Sequence, residues 1–139
     1  MQNKKNKLLT GFTIIELIVV IAIIAVLATI VLVNVTSYIS KGKDSAIKGN
    51  MANMMTMAAA EYDDAGSYAG LNVDAAYTAG VVAIDDANGG GSVNDEMGAT
   101  GWCVESTLND TAVGVWCVDS TGYKGNALTN CDSSNYDCQ

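Results

Sequence analysis

The sequence contains no histidine, no arginine and no proline. Without histidine, the chain lacks the side chain most often used as a catalytic base and metal ligand, so a nucleophile–base pair has little support. Without arginine, and with a formal charge of −8, it lacks the basic surface that phosphate contacts require. We therefore expect neither an enzyme nor a nucleic-acid-binding protein. The 139 residues suffice for one small domain with an anchoring segment.

The charges are distributed unevenly, and one long apolar run is nearly free of them. Three lysines fall within the first seven residues, and the run that follows covers residues 12–33. A helix of these 22 residues is about 33 Å long at ~1.5 Å per residue, enough to cross the hydrocarbon core of a bilayer. Basic residues before the run and an acidic chain after it predict a cytoplasmic N-terminus and a translocated remainder.

Glu16 is the single charged residue of this run. A carboxylate near the bilayer is costly, and residues of this kind tend to be functional. The alternative is that Glu16 lies in the first helical turn and complements the helix dipole. The run is longer than the apolar core of a secretory signal, about 7–15 residues, and no Ala-x-Ala site follows it. We therefore expect the apolar segment to be retained in the mature protein.

Residues 7–20 resemble the leader and N-terminal helix of type IV prepilins and of the related pseudopilins of type II secretion. The family signal is a short basic leader ending in Gly, a following Phe or Met, and Glu as the fifth residue after the cut. Gly11, Phe12 and Glu16 supply all three. The resemblance implies that a prepilin peptidase cuts between Gly11 and Phe12 and methylates the new Phe12 amine. It also implies that Glu16 pairs with the Phe12 amine of a neighbouring subunit during assembly.

The function implied by this resemblance is structural. The chain would be a prepilin in the inner membrane whose mature form joins a helical homo-oligomeric filament, outside the cell or in the periplasm, with the help of a dedicated assembly machinery. One alternative is a major pseudopilin of a type II secretion system. A second alternative, from another class, is a binding module held on the membrane by a single span.

We predict an α+β, pilin-like fold in which a long N-terminal helix carries a small antiparallel sheet. Four segments are expected: a basic leader at 1–11, the membrane and assembly helix at 12–33, an amphipathic continuation at 34–62, and a globular head at 63–139. The continuation has an apolar stripe at helical spacing. Its members are Ile47, Met51, Met54, Ala58 and Tyr62. Gly66 is the expected stop.

Two similar segments in the head, residues 101–106 and 115–120, have the β-branched and aromatic content of strands. A hairpin centred on Asp110 would place Cys103 opposite Cys117 and both tryptophans on the face toward the helix. Residues 77–84 are ambiguous between helix and strand. We interpret residues 88–92 as a linker and expect residues 122–124 to turn out of the sheet.

Four cysteines in a translocated domain favour two disulfides, with three possible connectivities. The hairpin favours Cys103–Cys117, and proximity favours Cys131–Cys138. The second pair resembles the C-terminal disulfide loop of many type IV pilins, which favours a pilin over a pseudopilin. A cysteine zinc site is the rival, although no spacing is the two-residue kind of zinc knuckles.

Asp132, Asn135 and Asp137 lie within the last loop and are weak candidates for a calcium site. The resemblance to major pseudopilins, which hold calcium in a C-terminal loop, supports this interpretation. Solvated loop acids are the alternative, since no EF-hand spacing is present. No other metal and no cofactor is expected.

Overall fold

The computed structural model describes residues 11–90 and 93–139, so residues 1–10 of the predicted leader are outside its scope. The chain is α+β, with a long N-terminal apolar helix and a small four-stranded antiparallel sheet. Its elements are helix α1 (Ile14–Ala65), a 3-10 helix (Leu71–Val73), helix α2 (Ala75–Asn88) and strands β1 (Val93–Met97), β2 (Trp102–Thr107), β3 (Val115–Asp119) and β4 (Lys124–Asn126).

The chain divides into two compact units at Ser37/Tyr38, four residues beyond the predicted end of the membrane helix. In the first unit, the side chains of residues 12–32 are all exposed, and most of them are apolar. Among the described residues, α1 is the one helix long and apolar enough to cross a membrane, by length and composition.

The second unit, Tyr38–Gln139, is built on the remaining part of α1. The predicted stripe is confirmed for four of its five members, which are fully buried: Ile47, Met51, Met54 and Ala58. The prediction is wrong for the fifth member, Tyr62, whose side chain is 44% exposed. Its ring stacks on that of Tyr68, with 4.6 Å between the ring centroids. The helix ends at Ala65, three residues later than predicted, and Gly66 follows it with φ +67°.

The ambiguous residues 77–84 belong to α2. Asp74 begins this helix by accepting a hydrogen bond from the Tyr77 N–H at 2.7 Å. Gly89 and Gly90 end it with positive φ angles, and the Gly90 N–H donates to the Asp85 carbonyl at 2.9 Å. The first three residues of the predicted linker, 88–90, therefore form the C-terminal end of α2. Its residues 91 and 92 are not among those described.

The sheet is a meander with the order β1-β2-β3-β4, and every neighbouring pair is antiparallel. The predicted hairpin corresponds to β2 and β3. Their apolar faces pack on α1, and both tryptophans share this face, as expected. The expectation that residues 122–124 leave the sheet is wrong, because Gly122 closes a second hairpin with φ +92° and Lys124 then pairs with Val118.

The register of the β2–β3 hairpin differs from the predicted one by two residues. Cys103 lies opposite Asp119, and Cys117 lies opposite Glu105. The connecting turn begins at Asp110, whose carbonyl accepts from the Val113 N–H at 3.0 Å, rather than being centred there. A shift of two residues leaves every side chain on its face, which is why the prediction of the faces survives the error in register.

The predicted disulfides Cys103–Cys117 and Cys131–Cys138 are both wrong. The bonds are Cys103–Cys131 and Cys117–Cys138, with Cα–Cα distances of 5.6 and 5.8 Å. The register makes Cys103 and Cys117 diagonal neighbours, about 7–8 Å apart at Cα, beyond the usual reach of a disulfide. The C-terminal segment (residues 127–139) instead crosses the face of the sheet opposite to α1, and its two cysteines join those of β2 and β3.

Candidate functional site

The Gly11–Phe12 bond, the predicted processing site, lies immediately before α1. Residues 11–13 have no regular structure, and α1 begins at Ile14. The Phe12 side chain is 83% exposed, and, apart from its chain neighbours, no described residue lies within 4 Å of the position that a Cβ on Gly11 would occupy. An accessible, irregular backbone next to a small residue is a geometry that a peptidase can engage.

Thr13 and Glu16 form a capping box at the start of α1. The Thr13 N–H and hydroxyl both donate to Glu16 Oε2, at 2.9 and 2.8 Å, and the Glu16 N–H donates to Thr13 Oγ1 at 3.2 Å. This arrangement satisfies backbone donors that a helix start leaves without partners. Thr13 was not among the predicted site residues, although the pattern Thr-x-x-Glu before an apolar run is the sequence signal for it.

The capping box leaves part of the Glu16 carboxylate available. Among the described residues, both hydrogen bonds that Glu16 accepts go to Oε2, so Oε1 remains an open acceptor. The side chain is exposed, at the end of a surface that is otherwise uncharged and mostly apolar. A carboxylate in this position can bind a cation that approaches the N-terminal end of α1.

Two carboxylates attach the C-terminal segment to the sheet. Neither was predicted from the sequence as a functional residue. Glu105 accepts from the Asn94 amide at 3.0 Å and from the Cys131 N–H at 3.2 Å. Asp119 is fully buried and accepts from Thr121, Tyr123 and the Cys138 N–H, the last at 2.9 Å. Each disulfide is thus accompanied by a carboxylate that binds the backbone of its C-terminal cysteine.

The calcium candidates Asp132, Asn135 and Asp137 are engaged in local hydrogen bonds. Asp132 Oδ1 accepts from the Ser134 N–H at 2.8 Å and from its hydroxyl, and these bonds lower the pKa of Asp132. The Asn135 amide donates to Asp137 Oδ1 at 3.0 Å. Within residues 11–90 and 93–139, no group of three or more acidic or cysteine side chains is placed to hold a metal ion.

A further titratable pair, Tyr77 and Asp95, lies between α2 and β1. The Tyr77 hydroxyl donates to Asp95 Oδ2 at 3.5 Å, and the tyrosine is fully buried. Burial raises the pKa of Asp95, and burial together with the nearby Asp95 charge raises the pKa of Tyr77. The long hydrogen bond compensates poorly for the desolvation of the carboxylate.

No family model, no curated protein and no solved structure matches this chain.

Proposed function

We propose that this chain is the precursor of a filament subunit of the type IV pilin and pseudopilin group, cut between Gly11 and Phe12 and polymerised through its N-terminal helix. One observation carries the proposal. An exposed Gly-Phe junction lies directly before helix α1, whose first part, up to residue 32, is exposed and mostly apolar. The single acid of that part, Glu16, lies in the first turn.

Hydrolysis of the Gly11–Phe12 amide creates a new amine on Phe12, four residues before Glu16. Free α-amines have a pKa of about 7.7–8.0, so this group carries a positive charge near neutral pH. The Thr13 N–H belongs to the Phe12–Thr13 peptide and remains after the cut. The capping box therefore survives processing and keeps Oε2, while Oε1 is free to bind an amine.

Pairing between subunits follows from the cost of burying charge. Either the Phe12 amine or the Glu16 carboxylate is unfavourable alone in an apolar surrounding, whereas a hydrogen-bonded pair removes much of the penalty. A subunit that docks so that its amine meets a neighbour's Glu16 is therefore favoured over one in another register. Pairing of the two groups within one chain is the competing arrangement.

The apolar surface of the first unit requires a cover. A membrane supplies it in the precursor, and neighbouring helices supply it in a filament. The lysines of the leader orient the precursor with its N-terminus in the cytoplasm. The head then lies on the far side of the inner membrane, where disulfides form and persist.

The proposal covers pilins and pseudopilins alike. A Cys131–Cys138 loop would favour a pilin, but Cys131 is bonded to Cys103 and Cys138 to Cys117. Both kinds of subunit share the processing site and the assembly helix, so the experiment below identifies the group and not the particular filament.

The test is a mass and N-terminal analysis of the protein from its native membrane, combined with electron microscopy of sheared surface fractions. We expect a chain that begins at a methylated Phe12 and filaments that contain it. An intact N-terminus in a monomeric detergent extract would contradict the proposal and favour a membrane-anchored binding module.

A further inference from the structure

An acidic groove of about 370 Å³ lies within the second unit, between the last turns of α1 and the start of α2. Its apolar walls include Met57, Ala60 and Leu71, and its carboxylates are Glu61, Asp64 and Asp74. Asp74 caps α2, but no described residue binds the carboxylates of Glu61 or Asp64. Apolar walls with free carboxylates suit the methylene stem and ammonium group of a lysine.

Cations are rare in the chain without its leader, and three of the four lysines lie within residues 41–48. Lys48 is half-buried, and its ammonium lies 4.3 Å from the centre of the Trp116 ring. Lys41 and Lys43 are exposed, and neither forms an ion pair with a described residue. Two of the three exposed lysines of the second unit, Lys41 and Lys43, thus lie at the beginning of its helix, and the third is Lys124 in β4.

Lys41 cannot reach the groove of its own chain. Lys41 and Glu61 are 20 residues apart on one helix, which corresponds to about 30 Å at ~1.5 Å per residue. They also lie on opposite flanks of α1, since at about 100° per residue Lys41 is roughly 150° from the mean direction of the groove residues. Lys43, in contrast, lies on the same side of the helix as the groove.

Opposite flanks are the surfaces that meet when copies of one chain associate in the same orientation. Such contacts are heterologous, and they extend into rings or helical filaments. We infer that Lys41 of one copy binds in the acidic groove of a second, parallel copy displaced along α1 by about 20 residues, ~30 Å. This inference rests on the proposed function, because parallel copies are what a filament of membrane-inserted subunits provides.

The contact is expected to define register and to depend on salt. The ammonium of Lys41 meets Glu61 and Asp64 at the rim, where charge pairs mainly steer association and exclude wrong alignments. Raising the ionic strength should therefore lower the rate at which subunits join.

The direct test is carbodiimide cross-linking of native sheared filaments, followed by mass spectrometry. This reagent joins a lysine directly to a carboxylate, so a bond from Lys41 to Glu61 or Asp64 must connect two copies. We expect that bond in filaments. Filaments that lack it, or in which the groove acids are joined to Lys43, Lys124 or another protein, would overturn the inference and leave the proposed function intact. If the wild-type chain forms no filaments, the proposed function itself fails, and the inference fails with it.

Charge-reversal variants supply an independent readout. We expect Lys41→Glu to lower the yield of sheared filaments about tenfold, because it places like charges opposite each other. Lys43→Glu is the matched control, with the same change on the same helix but on the other flank, and should leave the yield unchanged. Combining Lys41→Glu with Glu61→Lys and Asp64→Lys should restore it. Equal effects of the two single variants, or no restoration, would contradict the inference.

Discussion

At the scale of single residues, the buried Asp119 and the half-buried Asp95 are two carboxylates of the head with different surroundings. Asp119 accepts four hydrogen bonds from neighbouring backbone and hydroxyl groups, so its charge is well compensated. Among the described residues, the one side chain that donates to the Asp95 carboxylate is the Tyr77 hydroxyl, at a long distance of 3.5 Å. We therefore assign Asp119 a stabilising role and regard ionised Asp95 as a cost to the fold.

Replacing Asp95 by asparagine should stabilise the head near neutral pH. Burial raises the pKa of Asp95 in the folded state. The protonated carboxyl therefore contributes its full stability to the fold below the pKa of the unfolded chain, and this contribution is lost as the pH rises through the folded-state pKa. The asparagine side chain cannot ionise, yet its carbonyl still accepts a hydrogen bond from the Tyr77 hydroxyl. Thermal unfolding of the detergent-solubilised chain should show a higher midpoint for Asp95→Asn at pH 7 and no difference at pH 3.

The control for this prediction is Glu96→Gln, which removes the same charge from the opposite face of β1. If both variants raise the midpoint equally, net charge rather than burial explains the gain, and the assignment of Asp95 is wrong.

At the scale of elements, α1 is connected to the β2–β3 turn by one buried side chain. Asp44 is 6% exposed, and its carboxylate accepts from the backbone N–H groups of Asn109 and Asp110 at 2.6 and 3.0 Å. This contact joins residues more than sixty positions apart in the sequence. It fixes the point at which the turn begins and, with it, the register of the hairpin.

The variant Asp44→Ala should lower the free energy of unfolding by about 3 kcal/mol, because it removes the acceptor of two half-buried backbone N–H groups. Urea unfolding monitored by tryptophan fluorescence measures this, since Trp102 lies in the core and Trp116 packs against it. Asp63→Ala, at an exposed position of the same helix, should leave the curve unchanged. Equal curves for Asp44→Ala and wild type would refute the role given to Asp44.

The C-terminal segment should detach without unfolding the core when its second disulfide is removed. Cys117 and Cys138 are 21 positions apart, and a loop of this size is worth about 3 kcal/mol by chain entropy. The paired change Cys117→Ser with Cys138→Ser should expose residues 132–139 to proteases while tryptophan fluorescence stays native. A peptide map of the non-reduced protein that joins Cys103 to Cys117 would contradict this connectivity.

Features of the fold that depend on neighbouring residues could be predicted from the sequence, whereas features that depend on contacts between distant residues could not. The stripe Ile47, Met51, Met54 and Ala58 was predictable because it depends on helical period alone. The register and the disulfides were not, because they depend on the contact of Asp44 with the turn and on the path of the chain after β4. Strand β4 has the sequence Lys-Gly-Asn and contains no β-branched or aromatic residue, so the sequence does not predict it.

At the scale of the whole molecule, the proposed processing would change both the charge of the chain and the chemistry of its N-terminus. Loss of residues 1–11 would remove three lysines and take the formal charge from −8 to −11, before the termini are counted. The remaining surface is strongly acidic, which favours a soluble head and disfavours contact with anionic lipid or nucleic acid. The new Phe12 amine would then supply a positive charge beside the apolar run 12–33, which contains one acid, Glu16.

The most direct test of this account compares filament assembly by Glu16→Gln and Thr13→Ala. Glutamine preserves the capping box, because its carbonyl still accepts from Thr13, but it removes the charge; alanine at position 13 removes the cap and keeps the charge. Both proteins should insert and be cut after Gly11. We predict that Thr13→Ala yields filaments in sheared fractions and that Glu16→Gln yields none, whereas normal filaments from Glu16→Gln would contradict the account.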